Sequence, residues 1–263
     1  MLYESGHPEN LDISARELQL QLLATSLSAQ SYPGYPLFSE RLFLNPSLEN
    51  YTESGRRIIP DGPWVVNTHV NRPDHEIVPT EEEQRTFIAH GLELDSMGRP
   101  LHPWFIRMAE DPAIGIVTGK GAYWKWGPNK TVDPIIIQSD HVLLIKRNDT
   151  GTWAFPGGFV DKNEAVESAG RREVLEETGL VLPEKLSLET VYSGPVVDIR
   201  LSGNAWPETT ALLMQIPSHA SLPMPHGMDD AADAAWVPIN IALQENGLFG
   251  SHRFLLDTTL NLL

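Results

Sequence analysis

One segment governs what this chain can become: residues 157–180, Gly-Gly-Phe-Val-Asp-Lys-Asn-Glu-Ala-Val-Glu-Ser-Ala-Gly-Arg-Arg-Glu-Val-Leu-Glu-Glu-Thr-Gly-Leu. It opens on a Gly-Gly bend. Its body, roughly Glu164 to Thr178, predicts a helix, and Gly179 stands where helices favour a left-handed residue. Beyond about Ala113 the surrounding sequence is made of short apolar runs separated by turns: Pro134 to Gln138, His141 to Lys146, Trp153 to Pro156, Thr190 to Tyr192, Thr210 to Ile216 and Ala234 to Ile239. These runs read as strands. A strong helix set among strands implies an α/β class, with a sheet flanked by helices.

Upstream the texture differs. Leu18, Leu20, Leu22, Leu23 and Leu27 suggest a helix from about Asp12 to Ser28, whereas Tyr32 to Pro63 is rich in Pro, Gly, Tyr and Asn and reads as turns and irregular chain. Thr80 followed by Glu81, Glu82 and Glu83 offers a helix start, with Phe87, Ile88 and Leu92 as the expected buried face. The 263 residues suffice for one large domain or two small ones. The change of texture places an N-terminal subdomain at 1–112 and a second domain at 113–263. No internal repeat or low-complexity tract is present.

Charge narrows the partners. With 35 Asp and Glu against 19 Lys and Arg, the formal charge is -16, so the surface field repels nucleic acid backbones and anionic membranes. A small anionic substrate is still admissible if a divalent cation, held by clustered carboxylates, reverses the field locally. The absence of cysteine removes disulfides, thiolate nucleophiles and Cys-ligated zinc. Residues 1–20 carry Glu4, Glu9, Asp12 and Glu17 rather than a basic start and an apolar run, and no stretch of about 18 apolar residues occurs. The simplest expectation is a cytoplasmic protein that acts on a small molecule, with a monomer the favoured state.

Within the dominant segment Glu173, Glu176 and Glu177 are spaced i, i+3 and i+4 and so share one face of a helical turn. Three carboxylates crowded there repel one another, but they supply the hard oxygen ligands that Mg2+ or Mn2+ requires. Gly157 and Gly158 let the backbone turn tightly and come close to both metal and phosphate. The competing reading is a solvated acidic helix face.

The same segment resembles the Nudix box, G-x5-E-x7-R-E-U-x-E-E-x-G-U with U apolar. Gly158, Glu164, Arg172, Glu173, Val174, Glu176, Glu177, Gly179 and Leu180 fill every specified position. Seven of these demand a single residue type, and at roughly one in fifteen per type a random window matches them with a probability on the order of one in 10^8. The resemblance implies that the Gly157 carbonyl is a metal ligand, that Glu173 and Glu177 are core ligands, and that Glu176 completes or supports the cluster. It implies a structural pairing of Arg172 with Glu164, and substrate contact at Gly158 and Phe159. Metal ions would bridge a diphosphate, neutralise charge in the transition state and activate an attacking water for in-line displacement at phosphorus. The family often draws its general base from a loop downstream of the box, here Met228-Asp-Asp-Ala-Ala-Asp233, with Asp229 and Asp230 as candidates.

Further segments resemble the animal mitochondrial type of ADP-ribose pyrophosphatase and the related ADP-ribose-sensing domain of a TRPM-type cation channel. They are Gly98-Arg-Pro100 with Trp126-Gly-Pro-Asn-Lys-Thr-Val-Asp-Pro-Ile-Ile136, Asp198-Ile-Arg200 with Asn204-Ala-Trp206 and Glu208-Thr209, the acidic loop, and Leu248-Phe-Gly-Ser-His252. Tyr32-Pro-Gly34 is a fainter match. The likeness implies that Asp198 and Arg200 contact ribose and phosphates, for which a carboxylate and a planar guanidinium are chemically apt. Leu248 and Ser251 would line the ribose or adenine end, with His252 nearby and given no catalytic role, while Trp206 is expected in the core. The segment Trp104 to Gly121 departs from the family, and the residues before Tyr32 have no counterpart in it. Taken together, the resemblance implies a Nudix α/β/α sandwich with a mixed sheet, plus an N-terminal α+β subdomain. The implied reaction is hydrolysis of ADP-ribose to AMP and ribose 5-phosphate with Mg2+ or Mn2+. The alternatives are another nucleoside diphosphate derivative (NADH, a dinucleoside polyphosphate or a nucleotide sugar) or a module that binds ADP-ribose without cleaving it.

Overall fold

In the computed structural model, residues 52–53, 56–59, 78–105, 116–120, 123, 125–148, 150–196, 198, 201–244 and 248–263 are described. The helix expected over Asp12 to Ser28, the Tyr32-Pro-Gly34 match and Arg200 lie outside them. Two compact units emerge: residues up to Asn129 together with Pro195–Pro207, and Lys130–Gly194 together with Glu208–Leu263.

In the first unit β1 (Thr52–Glu53) pairs antiparallel with β2 (Arg56–Ile59), which pairs in parallel with β3 (Ile116–Val117). The stretch Tyr32 to Pro63, expected to be irregular, therefore contains two short strands. Local composition could not show this, because the parallel partner of β2 is supplied from more than fifty residues downstream.

Helix α1 (Glu81–Ala89) begins where the sequence places it. Thr80 Oγ1 accepts from the Glu83 amide at 3.3 Å, and the Glu83 carboxylate accepts from the Thr80 amide at 2.7 Å, closing a capping box. Phe87 is buried as expected, but Ile88 is 61% exposed and Leu92 lies beyond the helix. On so short a helix the buried stripe is one residue wide, and Ile88 falls about 100° round from Phe87. Thr80→Ala should cost about 1 kcal/mol of local helix stability. The measurement is amide exchange at Glu83, which should accelerate while the residues of the second unit keep their protection.

Two segments singled out in the sequence meet in this unit. Asn204 Oδ1 accepts from the Gly119 amide at 2.8 Å, and Asn204 Nδ2 donates to the Pro100 carbonyl at 2.9 Å. The His102 amide donates to the Gly203 carbonyl, also at 2.8 Å. Trp206 is fully buried, with the His102 ring edge-on at 4.9 Å. These contacts give Gly98-Arg-Pro100 and Asn204-Ala-Trp206 a packing role.

A seven-stranded sheet follows. Its strands are β4 (Gly127–Gln138), β5 (His141–Arg147), β6 (Trp153–Ala154), β7 (Gly158–Phe159), β8 (Glu189–Pro195), β9 (Ala205–Ile216) and β10 (Ala231–Pro238). The order is β10-β5-β4-β9-β8, with β6 added to β5 and β7 to β4. Pro134–Ile137 of β4 and Val142–Ile145 of β5 are buried in unbroken succession. A strand with one face in water would alternate, so both faces of this sheet are covered, as in a sandwich. Helix α2 (Val166–Thr178) supplies Ala169 and Val174 to a cluster with Val132, Ile136, Leu143, Leu212 and Met214. It lies close to the sheet because position 170 is glycine, where an added Cβ would stand 3.3 Å from both Leu212 and Pro134. Helix α3 (Ile239–Ala242) is a single turn, and α4 (His252–Leu260) buries Phe254, Leu255 and Leu256.

Every strand run expected from the sequence is present, although β4 starts seven residues early and β6 stops at Ala154. No helix among the described residues is long and apolar enough to cross a membrane.

Candidate active site

Helix α2 carries the carboxylates, and both its ends are fixed by neighbouring chain. At its start Ala165 is the N-cap and offers no side-chain cap. Glu164 instead accepts from the Asp161 amide at 3.0 Å. At its end Gly179 adopts φ 70°, and an added Cβ there would lie 2.5 Å from the His226 ring. The final carbonyls find donors in the loop before β10: the His226 amide donates to Thr178 O and the Met228 amide to Glu177 O, both at 3.1 Å. The loop bearing Asp229 and Asp230 is thereby tied to the turn bearing Glu177.

Around that turn the expected residues converge. Glu177 Oε2 accepts from the Gly157 amide at 2.8 Å, and the residue is only 6% exposed. Glu173 packs on the adjacent glycine so closely that a Cβ at Gly158 would stand 2.6 Å from its Oε1. Arg172 is the hub. Its Nε and Nη2 donate to the two oxygens of Glu164, each at 2.9 Å, while Nη1 reaches Glu173 at 2.8 Å and Glu176 at 2.9 Å. Nη2 also donates to the Phe159 carbonyl at 3.0 Å, which joins helix α2 to strand β7. A planar fork of donors suits this task, since a lysine could not serve so many oxygens at fixed angles.

The electrostatics follow from burial. Burial pushes the Glu177 carboxyl up to about 8; the Gly157 amide and Arg147 oppose the shift, and the negative charges of Glu173 and Asp230 add to it. Burial also raises Glu173, with Arg172 pulling the other way. Glu164 goes in the opposite direction, to about 2, because Arg172 donates to it directly. Two carboxylates are thus held where their own charge is unwelcome without a cation.

Among the described residues no three Asp, Glu or His side chains already converge as a closed cage. Arg172 occupies oxygens of Glu173 and Glu176, and the Gly157 amide occupies one of Glu177. The donor chemistry nonetheless fits a hard divalent cation: every side-chain group is a carboxylate, and the Gly157–Gly158 bend has no side chain to block approach.

The remaining expected residues are distributed as follows. Asp229 is exposed at φ 49°, and Asn148 steadies the loop by donating to the carbonyls of Asp229 at 3.2 Å and Asp230 at 3.0 Å. Phe159 is 41% exposed. Leu248 forms an isolated parallel bridge with Trp153, and Ser251 is buried at the N-cap of α4. Asp198 is buried in the first unit, where its carbonyl accepts from the Leu201 amide at 3.0 Å. Sequence reasoning missed Arg147, whose guanidinium sits 4.5 Å from the centre of the Phe249 ring and acts on Glu177. No local pattern marks it, because Phe249 comes from a distant part of the chain.

Residues 127–257, which contain this whole helix and bend, match the NUDIX domain family. The chain belongs to the Nudix superfamily. It is 32% identical over 161 residues to the putative nudix hydrolase 6 of Caenorhabditis elegans, a match covering 54% of this chain and 58% of the relative. It is also 32% identical over 200 residues to the mitochondrial ADP-ribose pyrophosphatase of Rattus norvegicus, covering 62% of this chain and 54% of the relative. The Nudix chain therefore spans just over half the length of these curated relatives. Among solved structures, the bifunctional NMN adenylyltransferase/ADP ribose pyrophosphatase from Francisella tularensis aligns at a TM-score of 0.42 and 26% identity, over 51% of this chain and 41% of that one.

Proposed function

We propose that this Nudix protein hydrolyses ADP-ribose to AMP and ribose 5-phosphate, with residues 113–263 as the catalytic domain and 1–112 as an N-terminal subdomain. The observation that carries the reading is the packing of Glu173 and Glu177 onto the Gly157–Gly158 bend, where burial leaves both carboxylates short of positive charge. In this proposal Glu173, Glu176, Glu177 and the Gly157 carbonyl hold Mg2+ or Mn2+. A divalent ion there supplies Lewis acidity toward the diphosphate and a lowered pKa for a bound water.

The protein's own residues do the rest. Arg172 keeps Glu173 and Glu176 from splaying apart and ties the helix to the strand that follows the bend. Asp229 and Asp230, the latter with its charge felt at Glu177, are assigned the role of taking the proton from the attacking water. Attack is in line at one phosphorus of the diphosphate. Gly158, Phe159, Asp198, Arg200, Leu248 and Ser251 are assigned to substrate contact. The name of the rat relative supports ADP-ribose as the substrate.

A non-hydrolysing binding module is the second reading. Retention of all three helix carboxylates favours turnover over it. The experiment is incubation with Mg2+ and a panel of ADP-ribose, NADH, a dinucleoside polyphosphate and a nucleotide sugar, followed by product chromatography. ADP-ribose should be consumed fastest, giving AMP and ribose 5-phosphate. Tight binding of ADP-ribose in the presence of metal with no AMP released would establish the second reading instead.

A further inference from the structure

Strand β6 stops at Ala154, which leaves the Phe155 amide without a sheet partner two residues before the Gly157–Gly158 bend. A buried amide in that position requires an acceptor. It finds one in His252, the first residue of α4: Phe155 N donates to His252 Nδ1 at 2.8 Å. The two rings also stack, with centroids 5.0 Å apart and planes inclined by 16°, and Phe249 closes on the imidazole edge-on at 5.8 Å.

A backbone amide can only donate, so Nδ1 carries the lone pair and the ring proton of the neutral imidazole is on Nε2. Nε2 faces Asp133 Oδ1 at 3.7 Å, with each side chain 13% exposed. The other oxygen, Asp133 Oδ2, accepts from Thr209 Oγ1, and Thr209 is itself buried. Asp133 also borders the bend, since a Cβ at Gly157 would lie 2.9 Å from its Oδ1.

We infer that Thr209, Asp133 and His252 are positioning residues that act as one chain to fix the Phe155–Gly158 backbone. Thr209 on β9 orients Asp133 on β4, the Asp133 carboxylate attracts the Nε2–H of His252 across 3.7 Å, and His252 Nδ1 holds the Phe155 amide. The consequence is a set position for the Gly157 amide, which holds Glu177, and for the Gly157 carbonyl. This arrangement also excludes His252 as a general base: Nδ1 has given its lone pair to the amide and Nε2 carries the proton. The inference rests on the proposed function for its effect on turnover, but not for its effect on the bend.

His252→Phe keeps an aromatic ring that can stack on Phe155 while removing the acceptor. It should lower kcat about 10- to 100-fold while KM stays within about threefold, as loss of an outer-shell contact does. Mn2+ binding, followed by the loss of free-ion EPR signal, should weaken, and amide exchange at Phe155 and Gly157 should accelerate. His252→Asn, whose side-chain oxygen can stand in for Nδ1, should recover most of each loss. Thr209→Val should accelerate exchange at Phe155 in the same direction, and it keeps the test decisive should His252→Phe not fold. Wild-type exchange and Mn2+ affinity in His252→Phe, or wild-type exchange at Phe155 in Thr209→Val, would overturn the inference. So would a His252→Asn variant as impaired as His252→Phe, or a loss confined to KM, which would make the ring a substrate contact. If the wild type releases no AMP from ADP-ribose, the proposed function fails, while the Mn2+ and exchange measurements still decide this inference.

Discussion

Glu177→Gln should abolish most turnover and, in the absence of metal, raise the thermal stability of the protein at alkaline pH. The two effects share one cause. Burial holds the Glu177 carboxyl at about 8 against an ordinary value of 4.5, so its anion is disfavoured in the folded state unless a cation is at hand. A carboxyl raised by folding adds stability that is complete below 4.5 and is lost as pH climbs through 8, because the folded state is the better proton binder across that window. Glutamine carries no charge to desolvate and still offers an oxygen to the Gly157 amide. In EDTA the variant should therefore match the wild type near pH 4, exceed it increasingly above 4.5 and reach its full advantage above pH 8. Each kcal/mol regained is worth roughly 2–4 °C in Tm for a chain of this size. With Mg2+ added the order should change, since a ligand at 100 times its Kd stabilises by about 2.7 kcal/mol only the form able to bind it. Loss of one charged ligand should cost kcat at least about 100-fold, each tenfold corresponding to about 1.4 kcal/mol of transition-state stabilisation. Melting curves from pH 4 to 9, with and without Mg2+, and single-turnover assays provide the check. A Tm gap that opens toward acid, or a variant as fast as the wild type, contradicts this account.

What could be read in advance and what could not differ in physical range. The carboxylate turn was legible because Glu173, Glu176 and Glu177 are neighbours by helical periodicity alone, and Gly179 announces where that helix ends. The pairing of Arg172 with Glu164 follows from the likeness to the Nudix box rather than from spacing, and the structure adds Glu173 and Glu176 as further partners. The helix start was less clear. Glu164 looked like the first residue of α2, yet it stands outside the helix and serves Arg172 and the Asp161 amide. Contacts set by strand pairing were invisible. Phe155 and His252 are 97 residues apart, and Asp133 and Thr209 76 apart, so neither pair leaves a local pattern. Arg147 belongs to this group, because β5 and the chain after Leu248 are brought together through β6: Trp153 pairs with Lys146 on one side and bridges Leu248 on the other. The dipeptide strands β1 and β7 are too short to show any periodicity. Ile88 shows the converse: an apolar residue beside a core position reads as core, whereas this nine-residue helix buries only Phe87.

The two glycines of the bend should separate stability from chemistry. Neither has a left-handed φ, so alanine is admissible at both on backbone grounds and the outcome rests on what the new methyl group meets. At Gly157 the Cβ would come within 2.4 Å of the Val132 carbonyl and 3.3 Å of the Asp133 Cα. Both are backbone atoms of β4 at the foot of the core, and Val132 is fully buried. Nothing there can rotate away, so Gly157→Ala should cost roughly 1–3 kcal/mol or more, the usual range for forcing a group into packed space. At Gly158 the nearest atoms, at 2.6–2.9 Å, all belong to the Glu173 carboxylate, the mobile end of a long side chain. Gly158→Ala should therefore stay within about 1 kcal/mol of the wild type in a urea titration, because the carboxylate can swing aside. The displacement falls on activity: with Glu173 pushed off the bend, Mn2+ affinity and kcat should drop while the fold persists. Equal urea midpoints for wild type and Gly157→Ala would show that the bend does not press on β4. Unchanged Mn2+ affinity and kcat in Gly158→Ala would show that Glu173 need not rest against the bend for the cluster to hold an ion, and would remove the main geometric support for the metal site.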